Sequence, residues 1–173
     1  MRKIDLIVIH CSATRSNQDF PVTALIRCHA ERFGFTGYHY YITRDGQTYQ
    51  TRHEQLVGAH AVGYNSHSLG VCYEGGLDEH GKAADTRTPR QKRALLRLLH
   101  RLKKAYPDAR ILGHRDLPDV HKDCPCFDCS EYSSCNPGCS VNIEASSQIS
   151  NPQTSSEYAL HQRSTISKNA KKE

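Results

Sequence analysis

The feature that most restricts the fold is a short one. Asp5-Leu6-Ile7-Val8-Ile9-His10 is an unbroken run of branched apolar residues between an acid and a histidine. A strand with one wet face alternates apolar and polar side chains. A run without alternation offers neither face to water and is expected inside a sheet covered on both sides. Two helical patterns can supply the covering layers. From Pro21 to Phe33, the residues Val22, Leu25, Ile26, His29 and Phe33 fall near helical spacing, with Gly34 just beyond. Thr88-Pro89-Arg90-Gln91 reads as a capping box with proline at the first helical position. The helix it opens is expected to run to about Tyr106, with Leu95, Leu96, Leu98, Leu99 and Leu102 towards the core and Pro107 closing it.

Further strands are expected at Tyr38 to Thr43 and Gln47 to Arg52, a hairpin around Arg44-Asp45-Gly46. Ser68 to Tyr73 is another, closed by Gly75-Gly76, and Ala109 to Leu112 a short one ending at Gly113-His114. Strands interleaved with two main helices give an α/β fold: a single domain with a central mixed β-sheet flanked by helices.

The 173 residues are 37% hydrophobic, enough for one core, but the mean hydropathy of −0.67 is low for a compact domain. The polar surplus is expected at the C-terminus, where residues 140–173 are Ser-rich and lack apolar periodicity. The globular domain is therefore placed at residues 1–130, and 131–173 is expected to be a disordered Cys/Ser-rich tail. No run approaches the ~20 apolar residues that span a bilayer. Met1-Arg2-Lys3-Ile4-Asp5 leads into no secretory h-region. Synthesis in the cytoplasm without a signal peptide is the expectation, with release or another export route for any external substrate.

The formal charge is +5, and much of the basic charge lies between Arg87 and Arg110, interleaved with leucines. Two readings stand beside each other: attraction to a polyanion, or the solvated face of an amphipathic helix. Of eight Cys, Cys11, Cys28 and Cys72 are spread through the apparent core, while Cys124, Cys126, Cys129, Cys135 and Cys139 crowd together. Without an export signal, metal binding or free thiols are expected before a disulfide framework.

His10 ends the buried strand and His114 ends a second one. Cys124 follows in Lys122-Asp123-Cys124-Pro125. Two His and one Cys form a borderline-soft donor set suited to Zn²⁺, and three protein ligands leave a fourth position free, the pattern of catalytic zinc. The plain alternative for each His is a hydrogen-bonded core residue. Lys122 projects to the same side as Cys124 in extended chain. It could stabilise an oxyanion there, or be a surface lysine.

Eight motifs then occur in order. They are Ile9-His10-Cys11-Ser12-Ala13-Thr14, Gly37-Tyr38-His39-Tyr40, Arg44-Asp45-Gly46, Gly58-Ala59-His60-Ala61, Gly63-Tyr64-Asn65, Ser68-Leu69-Gly70-Val71, Gly113-His114-Arg115-Asp116 and Lys122-Asp123-Cys124-Pro125-Cys126-Phe127-Asp128. Together they resemble the zinc-dependent type-2 N-acetylmuramoyl-L-alanine amidase family, above all its short phage endolysins with lysozyme-like lytic activity. Peptidoglycan recognition proteins share the fold. The resemblance covers residues 4 to 128. It implies a zinc hydrolase that cuts the amide bond between N-acetylmuramic acid and L-alanine in peptidoglycan; a monomer is expected.

The resemblance also implies zinc ligands at His10, His114 and Cys124, catalytic roles for Tyr38 and Lys122, and substrate contacts from His60 and Asn65. The segment from His114 to Cys124 is slightly long for the phage relatives, which makes His121 a rival ligand. Cys126, Cys129, Cys135 and Cys139 form either a second, structural zinc site or a set of unpaired thiols. Two other functions are weighed. One is a peptidoglycan-binding module without catalysis, against which the retained Cys124 speaks. The other is a nucleic-acid-binding protein using the basic helix and the Cys cluster.

Overall fold

A computed structural model describes residues 2–132. At the centre of its sheet lies β1 (Leu6–Cys11), all six residues of which are buried. On one side β1 pairs in parallel with β5 (Ser68–Tyr73), and on the other with β7 (Arg110–Gly113). Beyond β5 come β3 (Tyr40–Ile42), parallel to it, and the antiparallel β4 (Thr48–Gln50), so the order is β4-β3-β5-β1-β7. A separate parallel pair joins β2 (Thr14–Arg15) to β6 (Gly76–Leu77).

The period of two along each strand sorts the side chains onto two faces. Ile7 and Ile9 of β1, with Leu69, Val71 and Tyr73 of β5, pack against Ala94, Leu95, Leu98, Leu99 and Leu102 of α2 (Pro89–Ala105). Each buried Ile, Leu or Val among them contributes roughly 1.5–3 kcal/mol. On the opposite face, Val22 and Leu25 of α1 (Val22–Phe33) meet Tyr41 and Cys72. Leu6 and Val8 are covered there by Ala61 and Leu117. The mixed sheet with helices on both faces is the architecture expected from the unbroken apolar run.

Local chemistry explains where the helices begin and end. Thr88 Oγ1 accepts the Gln91 N–H at 3.1 Å and Gln91 Oε1 accepts the Thr88 N–H at 3.0 Å, the reciprocal capping box. The Gln91 amide also donates to the Glu74 carbonyl at 2.9 Å, so the same side chain ties α2 to the end of β5. Helix α1 stops at Gly34, whose φ of 76° is the left-handed conformation that ends helices.

Some expectations needed correcting. Strand β3 starts at Tyr40, so Tyr38 lies in the segment before it. Leu96 is only partly buried. Cys28 is exposed on α1 and is no part of the core. Glu131 and Tyr132, assigned to the tail, pack onto the body: Arg87 donates to Glu131 Oε1 at 2.6 Å and to the Tyr132 hydroxyl at 2.8 Å. The same guanidinium lies 3.1 Å from the centre of the Phe127 ring. The rest of the expected tail, with Cys135 and Cys139, lies outside the described residues. No helix among those described is long and apolar enough to cross a membrane.

Candidate metal centre and active site

His10 sits at the C-terminal end of β1, on the face it shares with Leu6 and Val8, and is 1% exposed. The register pairs Ile9 with Gly113, so His114 leaves the neighbouring strand beside it. The two imidazole centres are 4.5 Å apart. Cys124 is delivered by the chain that follows β7. The Arg115 N–H donates to the Cys124 carbonyl at 2.8 Å, and the Cys11 N–H points at Cys124 Sγ across 3.3 Å.

The candidate ligand atoms of His10, His114 and Cys124 all lie within 4.8 Å of one another, the single such group found among the described residues. His10 Nδ1 is 3.8 Å from Cys124 Sγ. His121 is exposed and stands outside the group.

The protonation states suit a metal. Burial pushes the His10 pKa well below the usual imidazole value, with His60, His114 and Lys122 adding to the effect. Burial and then the Lys122 charge lower that of His114. The Cys124 thiol is pulled down, chiefly by a hydrogen bond with the Cys11 thiol and against the effect of burial. Neutral imidazoles and a favoured thiolate are the forms in which these side chains bind metals. The residues therefore fit a metal ion of borderline softness.

Tyr38 is held against this group, with its ring 5.0 Å from that of His10 and 5.0 Å from that of His29. Burial raises its pKa far above the usual phenol value, so the hydroxyl keeps its proton. The Gly37 N–H donates to His29 Nδ1 at 3.0 Å and so fixes the residue before Tyr38. In the sequence His29 stands out only as part of the apolar stripe of α1. Lys122 is exposed, yet its charge acts on both His10 and His114.

The two residues expected in a substrate groove have other partners. His60 Nδ1 stands 3.1 Å from His10 Nε2, and His60 Nε2 3.4 Å from Ser68 Oγ, whose hydroxyl donates to the Tyr64 carbonyl at 2.7 Å. One tautomer satisfies the whole series. His10 bonds outward through Nδ1, its Nε2–H donates to His60, and the Nε2–H of His60 donates to Ser68. Burial lowers the His60 pKa to about 3 and keeps the ring neutral for that role. Asn65 Oδ1 accepts the N–H groups of His60 and Ala61, both at 2.9 Å, and so holds the loop. The readable trace of this arrangement was Gly70, a glycine inside a strand. A Cβ there would lie 2.6 Å from the His60 ring.

The chain is similar to known proteins over most of the described body. Residues 1–127 match the family model described as N-acetylmuramoyl-L-alanine amidase. The chain is 42% identical to the endolysin of Enterobacteria phage K11 over 125 residues, which cover 72% of this chain and 82% of the endolysin. The solved structure of the N-acetylmuramoyl-L-alanine amidase LysC from Clostridium intestinale superposes with a TM-score of 0.60 at 30% identity, covering 71% of this chain and 76% of that one. The complex of peptidoglycan recognition protein ectodomains LCa and LCx with tracheal cytotoxin gives 0.58 at 28% identity, covering 72% and 77%.

Proposed function

Because the chain belongs to the N-acetylmuramoyl-L-alanine amidase family, we propose that it hydrolyses the amide bond between N-acetylmuramic acid and L-alanine in peptidoglycan, with zinc held by His10, His114 and Cys124. The observation that carries this reading is the convergence of those three ligand atoms within 4.8 Å at the C-terminal ends of β1 and β7, with the Tyr38 ring against His10 and the Lys122 charge acting on both imidazoles. Zinc held by such a set would supply Lewis acidity for a carbonyl and a water nucleophile near neutral pH.

The protein's own groups supply the rest. Lys122 brings a positive charge to the carbonyl oxygen as it becomes an oxyanion. Tyr38, protonated at every working pH, donates a hydrogen bond to the same developing charge. Such preorganised donors contribute most where water is scarce; His10 is buried, and Tyr38 and His60 are partly so. His60 acts through His10: by accepting from His10 Nε2 it fixes the ring and raises the basicity of the nitrogen that faces Cys124. We assign it as a positioning residue, with Asn65 as the brace of its loop.

The test pairs metal analysis with wall hydrolysis. Purified protein should carry close to one zinc per chain. A strong chelator should abolish release of soluble fragments from purified cell walls, and added zinc should restore it. Metal-free protein with full activity would refute the proposal.

A further inference from the structure

The strand end that presents His10 on one face presents Cys11 on the other. Cys11 is buried, and its Sγ lies 3.7 Å from that of Cys126. Both are free thiols, and neither is a proposed metal ligand or catalytic group, although the Cys11 N–H points at the ligand Cys124. Three features hold them face to face. Cys126 has a φ of 70°, a left-handed conformation that residues with a side chain seldom adopt, and its N–H is fixed on the Asp123 carbonyl at 2.6 Å. The preceding carbonyl, of Pro125, accepts from the Tyr73 hydroxyl at 2.7 Å, which ties this turn to β5. On the far side, Gly76 leaves the slot open: a Cβ there would lie 2.5 Å from Cys11 Sγ and 3.5 Å from Cys126 Sγ.

We propose that Cys11 and Cys126 are a disulfide-forming pair, closed by a small-molecule or protein disulfide as oxidant. One thiolate attacks a sulfur of the oxidant, giving a mixed disulfide and releasing one thiol. The second cysteine then attacks the mixed disulfide, forming the Cys11–Cys126 bond and releasing the other thiol. The two electrons and two protons lost by the cysteines end on the two released thiols. An S–S bond of about 2.05 Å requires the sulfurs to approach from 3.7 Å.

The cross-link joins the residue after His10 to the residue two beyond Cys124. It therefore staples together two of the segments that hold the proposed metal ligands, and this consequence rests on the zinc reading above. Cys124 is the competing partner, since the Cys11 N–H points at its Sγ across 3.3 Å. Engagement of Cys124 by the metal leaves Cys126 as the thiol free to react.

The experiment uses the zinc-loaded full-length chain. It is equilibrated with oxidised glutathione, its remaining thiols are alkylated, and it is digested without reduction for peptide mapping. The expected product links Cys11 to Cys126, and the oxidised chain melts about 5 °C or more above the reduced one. Cys126→Ser should remove both the linked peptide and the shift while retaining wall hydrolysis. The oxidised wild type should also lose zinc to a chelator several-fold more slowly than the reduced. Full alkylation of Cys11 and Cys126 in the folded, oxidised chain would overturn the proposal, as would a Cys11–Cys124 link in its place. Equal zinc release from the two forms would overturn the staple. Wall hydrolysis by the reduced chain is followed alongside, so failure of the amidase reading registers separately from failure of the cross-link.

Discussion

Single side chains separate holding a metal from using it. Cys124→Ser should lose zinc and activity together, because a serine hydroxyl replaces thiolate poorly as a ligand. Lys122→Ala should keep zinc and substrate binding and lower turnover by about 10²-fold. His121→Ala should change neither, since His121 stands outside the ligand group. Zinc content measured beside turnover in the three variants decides this. If His121→Ala strips the metal and Cys124→Ser does not, the ligand assignment is wrong. His60→Ala should weaken zinc affinity about 10- to 100-fold, read by chelator competition, and His60→Gln should recover part of it; an unchanged affinity would return His60 to the substrate groove. His10, His114 and Cys124 were legible as candidates because two of them close apolar strands and the third follows nearby. The His10–His60 contact was not legible, because it spans 50 residues and no local pattern encodes it. Cys28 was misplaced for a related reason. The buried stripe of α1 is narrow, with Val22 and Leu25 its buried residues, and Cys28 falls outside it.

Among the elements, those written in local chemistry were read well. The capping box of α2, the limits of β5 and the glycine stop of α1 depend on neighbours within a few residues. The β2–β6 pair was missed because two-residue strands carry no periodicity and exist only through pairing at long range. Thr88→Ala should destabilise the protein by about 1 kcal/mol, measured by denaturant unfolding, with activity intact. The segment before α2 also makes stability depend on pH. Burial raises the Asp85 pKa, but its hydrogen bonds and ion pair with Arg87 outweigh this and lower it to about 2 from an ordinary 3.8. A depressed carboxyl contributes stability above its unfolded value and loses it as pH falls through the folded one. Asp85→Asn should therefore lower the melting temperature at pH 6, and the gap from wild type should narrow steadily from about pH 4 to pH 2. A gap that stays constant across that range would show that the charge of Asp85 contributes nothing.

At the scale of the whole molecule, one α/β body carries every residue to which a role is given. Phe127 and Tyr132 close the α2 face through Arg87, so the body extends past the last matched family residue, 127. A chain ending at residue 139 should hydrolyse walls at near the full-length rate, and a chain ending before Phe127 should lose stability. A large loss of activity in the first, with folding intact, would give the C-terminal segment a part in catalysis. The fold class was legible because the apolar run of β1 forces a sheet covered on both sides. The end of the body was not, because Tyr132 is tied to Arg87, 45 residues earlier. The central claim is the bond that is cut. Purified peptidoglycan digested by the protein, with and without chelator, and analysed by mass spectrometry should yield free stem peptides beginning at L-alanine and glycan strands stripped of peptide, with neither product in the chelated sample. Stem peptides still joined to N-acetylmuramic acid, or the same products with and without chelator, would contradict the account.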